Sequence, residues 1–103
     1  MVEVSSFGSL ATPDVAGRRE ASRVVLRSSV LRVATISFGA SLQSVEAPDR
    51  HGHLDHVCLA LGDLAGYEDR QRNPYLGATC GRYANRIVGA SFVLDDHRHQ
   101  LPA

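Results

Sequence analysis

Residues 30 to 45 read Val30-Leu31-Arg32-Val33-Ala34-Thr35-Ile36-Ser37-Phe38-Gly39-Ala40-Ser41-Leu42-Gln43-Ser44-Val45. Val30, Ala34, Ile36 and Phe38 share one parity, and Arg32 interrupts their face. Such alternation puts apolar side chains on one side of an extended strand. Gly39 separates this run from a second one, Ala40 to Val45, and marks a tight turn or bulge between two strands.

The same pattern extends outward in both directions. Upstream, Val24-Val25-Leu26 is a short apolar run bounded by Ser22 and Ser28. Residues 11–21 are polar, contain Pro13 and Gly17, and read as a loop following an N-terminal strand. Downstream, Pro48-Asp49-Arg50-His51-Gly52 is a turn, since Pro pre-sets φ, Asp bonds its own backbone and Gly accepts φ > 0. Val57 to Leu61 reads as a continuously apolar strand. Asp63 to Arg70 reads as a single helical turn with Asp63 as its N-cap, weakened by Gly66. Asn73-Pro74 is another turn, Arg86 to Leu94 a strand, and Asp95-Asp96 the tip of a hairpin returning through His97 to Leu101. About seven short strands with frequent turns, and no helix of ordinary length, predict an all-β, sandwich-like fold.

Composition narrows the function. The 103 residues carry 11 basic and 11 acidic side chains, for a net charge of zero. That is one small domain or a piece of a larger one. A balanced charge argues against nucleic-acid or anionic-membrane partners. All 11 cations are arginine, as in GC-rich coding, which excludes Schiff-base or P-loop lysine chemistry. No apolar run approaches the ~20 residues of a membrane helix. The start, with Glu3 and no basic segment before an apolar stretch, is unlike a secretory signal, so the expected compartment is the cytoplasm. Cys58 and Cys80 are isolated and read as two reduced, partly buried thiols.

One histidine cluster invites a metal reading. His51, His53, Asp55 and His56 fit H-x-H-x-D-H, a two-metal pattern of metallo-β-lactamase-like hydrolases. There the motif closes an apolar strand and opens a turn into a helix. Here it follows a polar turn and precedes a strand-like run, and only His97 and His99 remain downstream. The cluster therefore reads as loop histidines on a solvated hairpin, with no metal site. His97 and His99 lie two apart, on one strand face.

The most informative stretch is Asn73-Pro74-Tyr75-Leu76-Gly77-Ala78-Thr79-Cys80-Gly81-Arg82-Tyr83-Ala84-Asn85-Arg86-Ile87. Gly77 and Gly81 permit close backbone approach. Arg82, Asn85 and Arg86 supply fixed cations and an amide that both donates and accepts, which suits sugar hydroxyls. In the form N-P-Y-x-G-A-x-x-G-R-x-A-N-R-I, this stretch resembles the signature of the aldose 1-epimerase (galactose mutarotase) family. Phe38-Gly39-Ala40 with Leu42 and Ser44, Ala47 to Gly52, Leu64 to Tyr67, and Ser91 to Asp95 with Gln100-Leu101 are similar to further segments of that family. The likeness runs from about residue 30 to residue 103 and is weak over 1–22.

The resemblance implies the N-terminal part of a large antiparallel β-sandwich, with residues 1–103 a fragment of one domain. It implies interconversion of the α and β anomers of a hexose such as galactose or glucose, without metal or cofactor. A glutamate takes the C1 hydroxyl proton, a histidine protonates the ring oxygen, and the ring opens, rotates about C1–C2 and recloses, by paired general acid and base. By the same resemblance Asn85 and Arg86 would hold the hexose, with Arg82 a weaker contact.

No catalytic residue carries over. The family's first active-site histidine lies in N-x-x-N-x-L-H-G-G, directly after the position of Leu101-Pro102-Ala103, and Glu3, Glu20, Glu46 and Glu68 fall at unmatched positions. The chain is therefore expected to be inactive alone, to expose unpaired strand edges, and to need the remaining part of the sandwich as partner. The competing class is a non-catalytic carbohydrate-binding or interaction module.

Overall fold

The computed structural model describes residues 1–14 and 16–102. Val15, in the expected 11–21 loop, and Ala103 lie outside the described residues. The chain forms a five-stranded antiparallel sheet in the order β1-β2-β3-β4-β5: β1 (Val2–Ser9), β2 (Glu20–Arg27), β3 (Arg32–Ile36), β4 (Ser41–Pro48) and β5 (Leu54–His56). One short helix follows, α1 (Leu64–Glu68), and then a hairpin of β6 (Ser91–Leu94) and β7 (His97–Gln100). The class is all-β, as the alternation predicts. No helix among the described residues is long and apolar enough to cross a membrane.

The two faces of the large sheet differ. On one, Ala21 and Val25 of β2 and Ala34 and Ile36 of β3 are buried, together with Leu64 and Tyr67 of α1. Asp63 caps α1 as expected, its carboxylate accepting from Gly66 N at 2.8 Å. Tyr67 meets Phe7 edge to face at 6.1 Å, so the helix seats on β1. Toward the β2–β3 turn this face becomes charged. Arg27 and Arg32 stand directly opposite each other, and each pairs with a carboxylate, Glu3 at 3.2 Å and Glu46 at 3.3 Å. Arg32 Nε is buried there without a hydrogen-bond partner.

The other face carries two cross-strand rows, Val2–Leu26–Val33–Val45 and Val4–Val24–Thr35–Leu42. Its outer members are open: Val2 is 65% exposed and Val4 66%. The radius of gyration is 17.0 Å, against about 13 Å for a compact 100-residue domain. That difference is in keeping with a single large sheet covered on one side only.

Two strand expectations are corrected. Val57 to Leu61 is not a strand. The Pro48–Gly52 turn returns the chain early, so Leu54, Asp55 and His56 pair with Pro48, Ala47 and Glu46. Val57 N adds one bond to Val45 O at 2.9 Å, and the run then leaves the sheet with Leu59 81% exposed. Arg86 to Leu94 is a strand only from Ser91, because Asn85, Gly89 and Ala90 all have positive φ. The hairpin tip at Asp95-Asp96 holds, with φ of 49° and 59° matching a left-handed two-residue turn.

The chain uses one strand-starting device twice. Phe38-Gly39-Ala40-Ser41 and Val88-Gly89-Ala90-Ser91 each form a 3₁₀ turn with glycine at φ 65° and 66° and alanine at 45° and 47°. Each delivers its serine as the first residue of a strand.

The motif of residues 73–87 attaches at the first of these turns. A bulge in β4 pairs Ala34 with Ser44 and Thr35 with Leu42, leaving Gln43 over. Gln43 accepts from Arg23 Nε at 3.0 Å and donates to Leu61 O at 3.3 Å, which ties down the segment leaving β5. Since β5 pairs only with Glu46 to Pro48, the start of β4 has an open outer edge. Gly77 takes it: Leu42 N donates to Gly77 O at 2.8 Å. Thr79 N then donates to Gly39 O at 3.1 Å and Thr79 Oγ1 to Ala40 O at 2.7 Å. A Cβ on Gly77 would collide with the Leu42 carbonyl, and Gly77 also has φ 65°.

Two predictions follow from this architecture. Gly52 has φ 85° but open space around it, so Gly52→Ala bears the left-handed cost alone, about 1–2 kcal/mol. Gly77→Ala adds overpacking against backbone and should cost about 1–3 kcal/mol more in a urea titration. Equal losses would show that the strap is not docked on β4. The apolar rows predict that the 103-residue chain binds a hydrophobic dye and self-associates, and that Val4→Thr with Leu26→Thr lowers both. A dye-silent monomer with a sharp reversible thermal transition would contradict this.

Candidate functional site

The first half of the 73–87 motif is structural. Asn73 is buried and satisfied on both sides of its amide, donating to Tyr67 O at 2.9 Å and accepting from Leu76 N at 2.8 Å. It fastens the end of α1 to the turn that delivers Gly77. Tyr75 has φ 63° and lies against Arg70, whose Nη1 donates to its hydroxyl at 3.0 Å.

The second half projects polar groups into solvent. Arg82, Tyr83, Asn85 and Arg86 are all exposed. Asn85 adopts φ 71°, a left-handed conformation that asparagine tolerates better than most residues. Among the described residues, none of these four side chains has a hydrogen-bond partner within the chain. Of the other arginines, Arg18, Arg23, Arg27, Arg32, Arg50, Arg70 and Arg98 each bond a neighbouring side chain, while Arg19 and Arg72 likewise have no side-chain bond among the described residues. The motif thus presents unspent donors and acceptors close together in sequence.

A cavity of about 480 Å³ lies beside this segment, lined by Arg82, Tyr83, Ile87, Phe92 and Leu94. It joins the motif to β6. Phe92 is held by its cross-strand neighbour His99, with ring centroids 5.1 Å apart and planes 17° from parallel. Of the three residues that the motif singled out, Arg82 lines this cavity, while Asn85 and Arg86 stand exposed outside its lining. Tyr83 was not singled out by sequence, because it occupies a variable position of the motif. Its one visible signal is an aromatic residue between two polar ones.

The histidine cluster does not assemble. His51 accepts from Arg50 Nε at 3.0 Å, and His53 lies 3.7 Å from Asp49. His56 meets Ser44 Oγ at 3.2 Å across the hairpin, while the Asp55 carboxylate accepts from the His56 backbone N–H at 2.8 Å. These side chains turn to different partners along the β4–β5 hairpin. No three His, Cys, Asp or Glu side chains converge among the described residues. Both cysteines are free; Cys58 is half-buried, but Cys80 is exposed, which corrects the expectation of two partly buried thiols.

Three of the four glutamates are committed elsewhere. Glu3 pairs with Arg27, Glu46 with Arg32, and Glu68 accepts from Ala11 N at 2.9 Å.

Comparison with known proteins places this arrangement. Residues 22–103 match the family model described as Aldose 1-epimerase. The chain is 42% identical to galactose mutarotase of Bos taurus over 76 residues, covering 74% of this chain and 22% of the relative. It is 40% identical to galactose mutarotase of Sus scrofa over 97 residues, covering 94% of this chain and 27% of the relative. A probable aldose 1-epimerase of Arthroderma benhamiae is 36% identical over 69 residues, covering 65% of this chain and 16% of the relative. The chain thus spans roughly a sixth to a quarter of the length of these curated relatives. The family model covers the sheet from β2 onward, the docked strap and the β6–β7 hairpin, and on that ground the chain belongs to the aldose 1-epimerase family.

Proposed function

We propose that residues 1–103 form the hexose-holding part of an aldose 1-epimerase domain, which interconverts the α and β anomers of a sugar such as galactose or glucose. One observation carries this reading. The family motif is fastened to β4 through Gly77 and to the Gly39–Ala40 turn through Thr79, and beyond that anchor the side chains of Arg82, Asn85 and Arg86 have no partners among the described residues. A sugar hydroxyl both donates and accepts. Asn85 can do the same, and the two guanidinium groups donate to hydroxyl and ring oxygens. In this role Asn85 and Arg86 orient the ring, and Arg82 contacts it at the mouth of the cavity.

Ring opening needs a base at the C1 hydroxyl and an acid at the ring oxygen. No glutamate or histidine of this chain matches the family's positions for that pair. Glu3, Glu46 and Glu68 are occupied by ties within the sheet and to the N-terminal loop. The chain therefore contributes binding and orientation, and the acid and base belong to other parts of such a domain. The apolar rows of the five-stranded sheet are the face on which further strands of the sandwich would pack.

Two measurements test this. Polarimetry of freshly dissolved α-galactose with the 103-residue chain should show no rate above the buffer background. A measured acceleration would mean that an acid–base pair lies within these residues. Calorimetric titration at millimolar sugar should detect hexose binding that Arg86→Ala abolishes. Absence of binding to the wild-type chain would remove the hexose-holding role.

A further inference from the structure

The cavity beside the motif is unlike a purely polar sugar subsite. Of its five lining residues, Tyr83, Ile87, Phe92 and Leu94 offer apolar surface, and Arg82 alone brings a charge. Tyr83 is 67% exposed, and its hydroxyl has no hydrogen-bond partner among the described residues. Phe92 differs, because one side of its ring is already stacked on His99. Tyr75 is as exposed, but its hydroxyl is taken by Arg70; Tyr83 instead lines the cavity with its ring face and hydroxyl both open to a ligand.

We infer that Tyr83 is a specificity-determining residue that stacks on the C–H face of the hexose, while Arg82 at the same cavity binds its hydroxyls. This rests on the hexose-holding role proposed above and adds to it the face of the sugar that is read. The chemistry of pyranoses then sets the preference. In galactose the axial C4 hydroxyl leaves the hydrogens of C3, C4 and C5 together on one side of the ring, a continuous apolar patch that matches an aromatic face. In glucose the C4 hydrogen lies on the opposite side, and the patch is divided. Tyr83 should therefore favour galactose-configured hexoses, through its ring and not through its hydroxyl.

Saturation-transfer NMR with the wild-type chain and with Tyr83→Phe, Tyr83→Ala and Arg86→Ala tests this, using galactose and glucose as the probes. The wild-type chain and Tyr83→Phe should saturate the C3, C4 and C5 hydrogens of galactose most strongly. Tyr83→Ala should weaken galactose binding about 5-fold or more, change glucose binding less, and flatten that proton pattern. Tyr83 is exposed, so the alanine variant should keep the far-ultraviolet circular dichroism of the wild type, and that spectrum is the control for folding. If Arg86→Ala loses binding while Tyr83→Ala matches the wild type in affinity and proton pattern, the stacking role is wrong and the hexose-holding role stands. If Tyr83→Phe behaves like Tyr83→Ala, the hydroxyl and not the ring is the contact, and stacking is again overturned. If the wild-type chain saturates neither sugar, both the hexose-holding role and the stacking role fall.

Discussion

The contact between Gly77 and the backbone of Leu42 is the constraint on which the candidate site depends. It exists because β5 is too short to cover the outer edge of β4, and because the bulge at Gln43 reshapes that edge. An open strand edge exposes unpaired amide and carbonyl groups. Here the chain covers part of it with its own strap. The approach is so close that no side chain fits at position 77. Thr79 adds two bonds to the Gly39–Ala40 turn, and Asn73 holds the strap's other end to α1. Each such bond contributes about 0.5–1.5 kcal/mol net, while ordering each backbone residue costs about 1–2 kcal/mol. Residues 73–79 are held by several bonds of this kind. The stretch from Gly81 to Arg86 is exposed and makes no side-chain hydrogen bond within the described residues.

The sheet itself is asymmetric in a way that fits membership of a larger sandwich. One face buries Ala21, Val25, Ala34 and Ile36, then changes to two ion pairs near the β2–β3 turn. Directly opposed Arg27 and Arg32 would repel without Glu3 and Glu46. The other face presents two apolar rows with little over them. A core of this size stabilises a chain of about 100 residues only weakly, because stability is a small difference between large terms.

Much of this was legible in the sequence, for physical reasons that can be named. Alternation over Val30 to Phe38 identified a strand, which the structure confines to Arg32–Ile36 with Val30 exposed and Phe38 already in the turn, and Gly39 identified that turn. Asp63 was readable as a cap because a short carboxylate before a helical turn has an obvious donor to accept from. Asp95-Asp96 was readable as a hairpin tip although it lacks glycine. Val57 to Leu61 misled, because an unbroken apolar run does not say whether the sheet still has a partner for it. The register imposed by the Pro48–Gly52 turn had already placed the paired residues earlier, at Leu54 to His56. The 73–87 motif announced its polar residues but not its division of labour. Nothing in the spacing says that Asn73, Gly77 and Thr79 fasten the strap, or that Tyr83 and Arg82 share a cavity with β6. The Gly77 and Thr79 bonds join residues far apart in the chain, and the Asn73 bonds and the shared cavity depend on how the loops around them fold.

The central claim, the proposal made above, is that the exposed end of the docked motif, with the cavity it shares with β6, holds the sugar. The most direct test is a galactose titration followed by the backbone amide resonances of the 103-residue chain. The account predicts saturable shifts concentrated at residues 81–87 and at β6, with the β4–β5 turn and its histidines unmoved. Shifts centred on residues 49–56, or none at any site up to millimolar galactose, would contradict it.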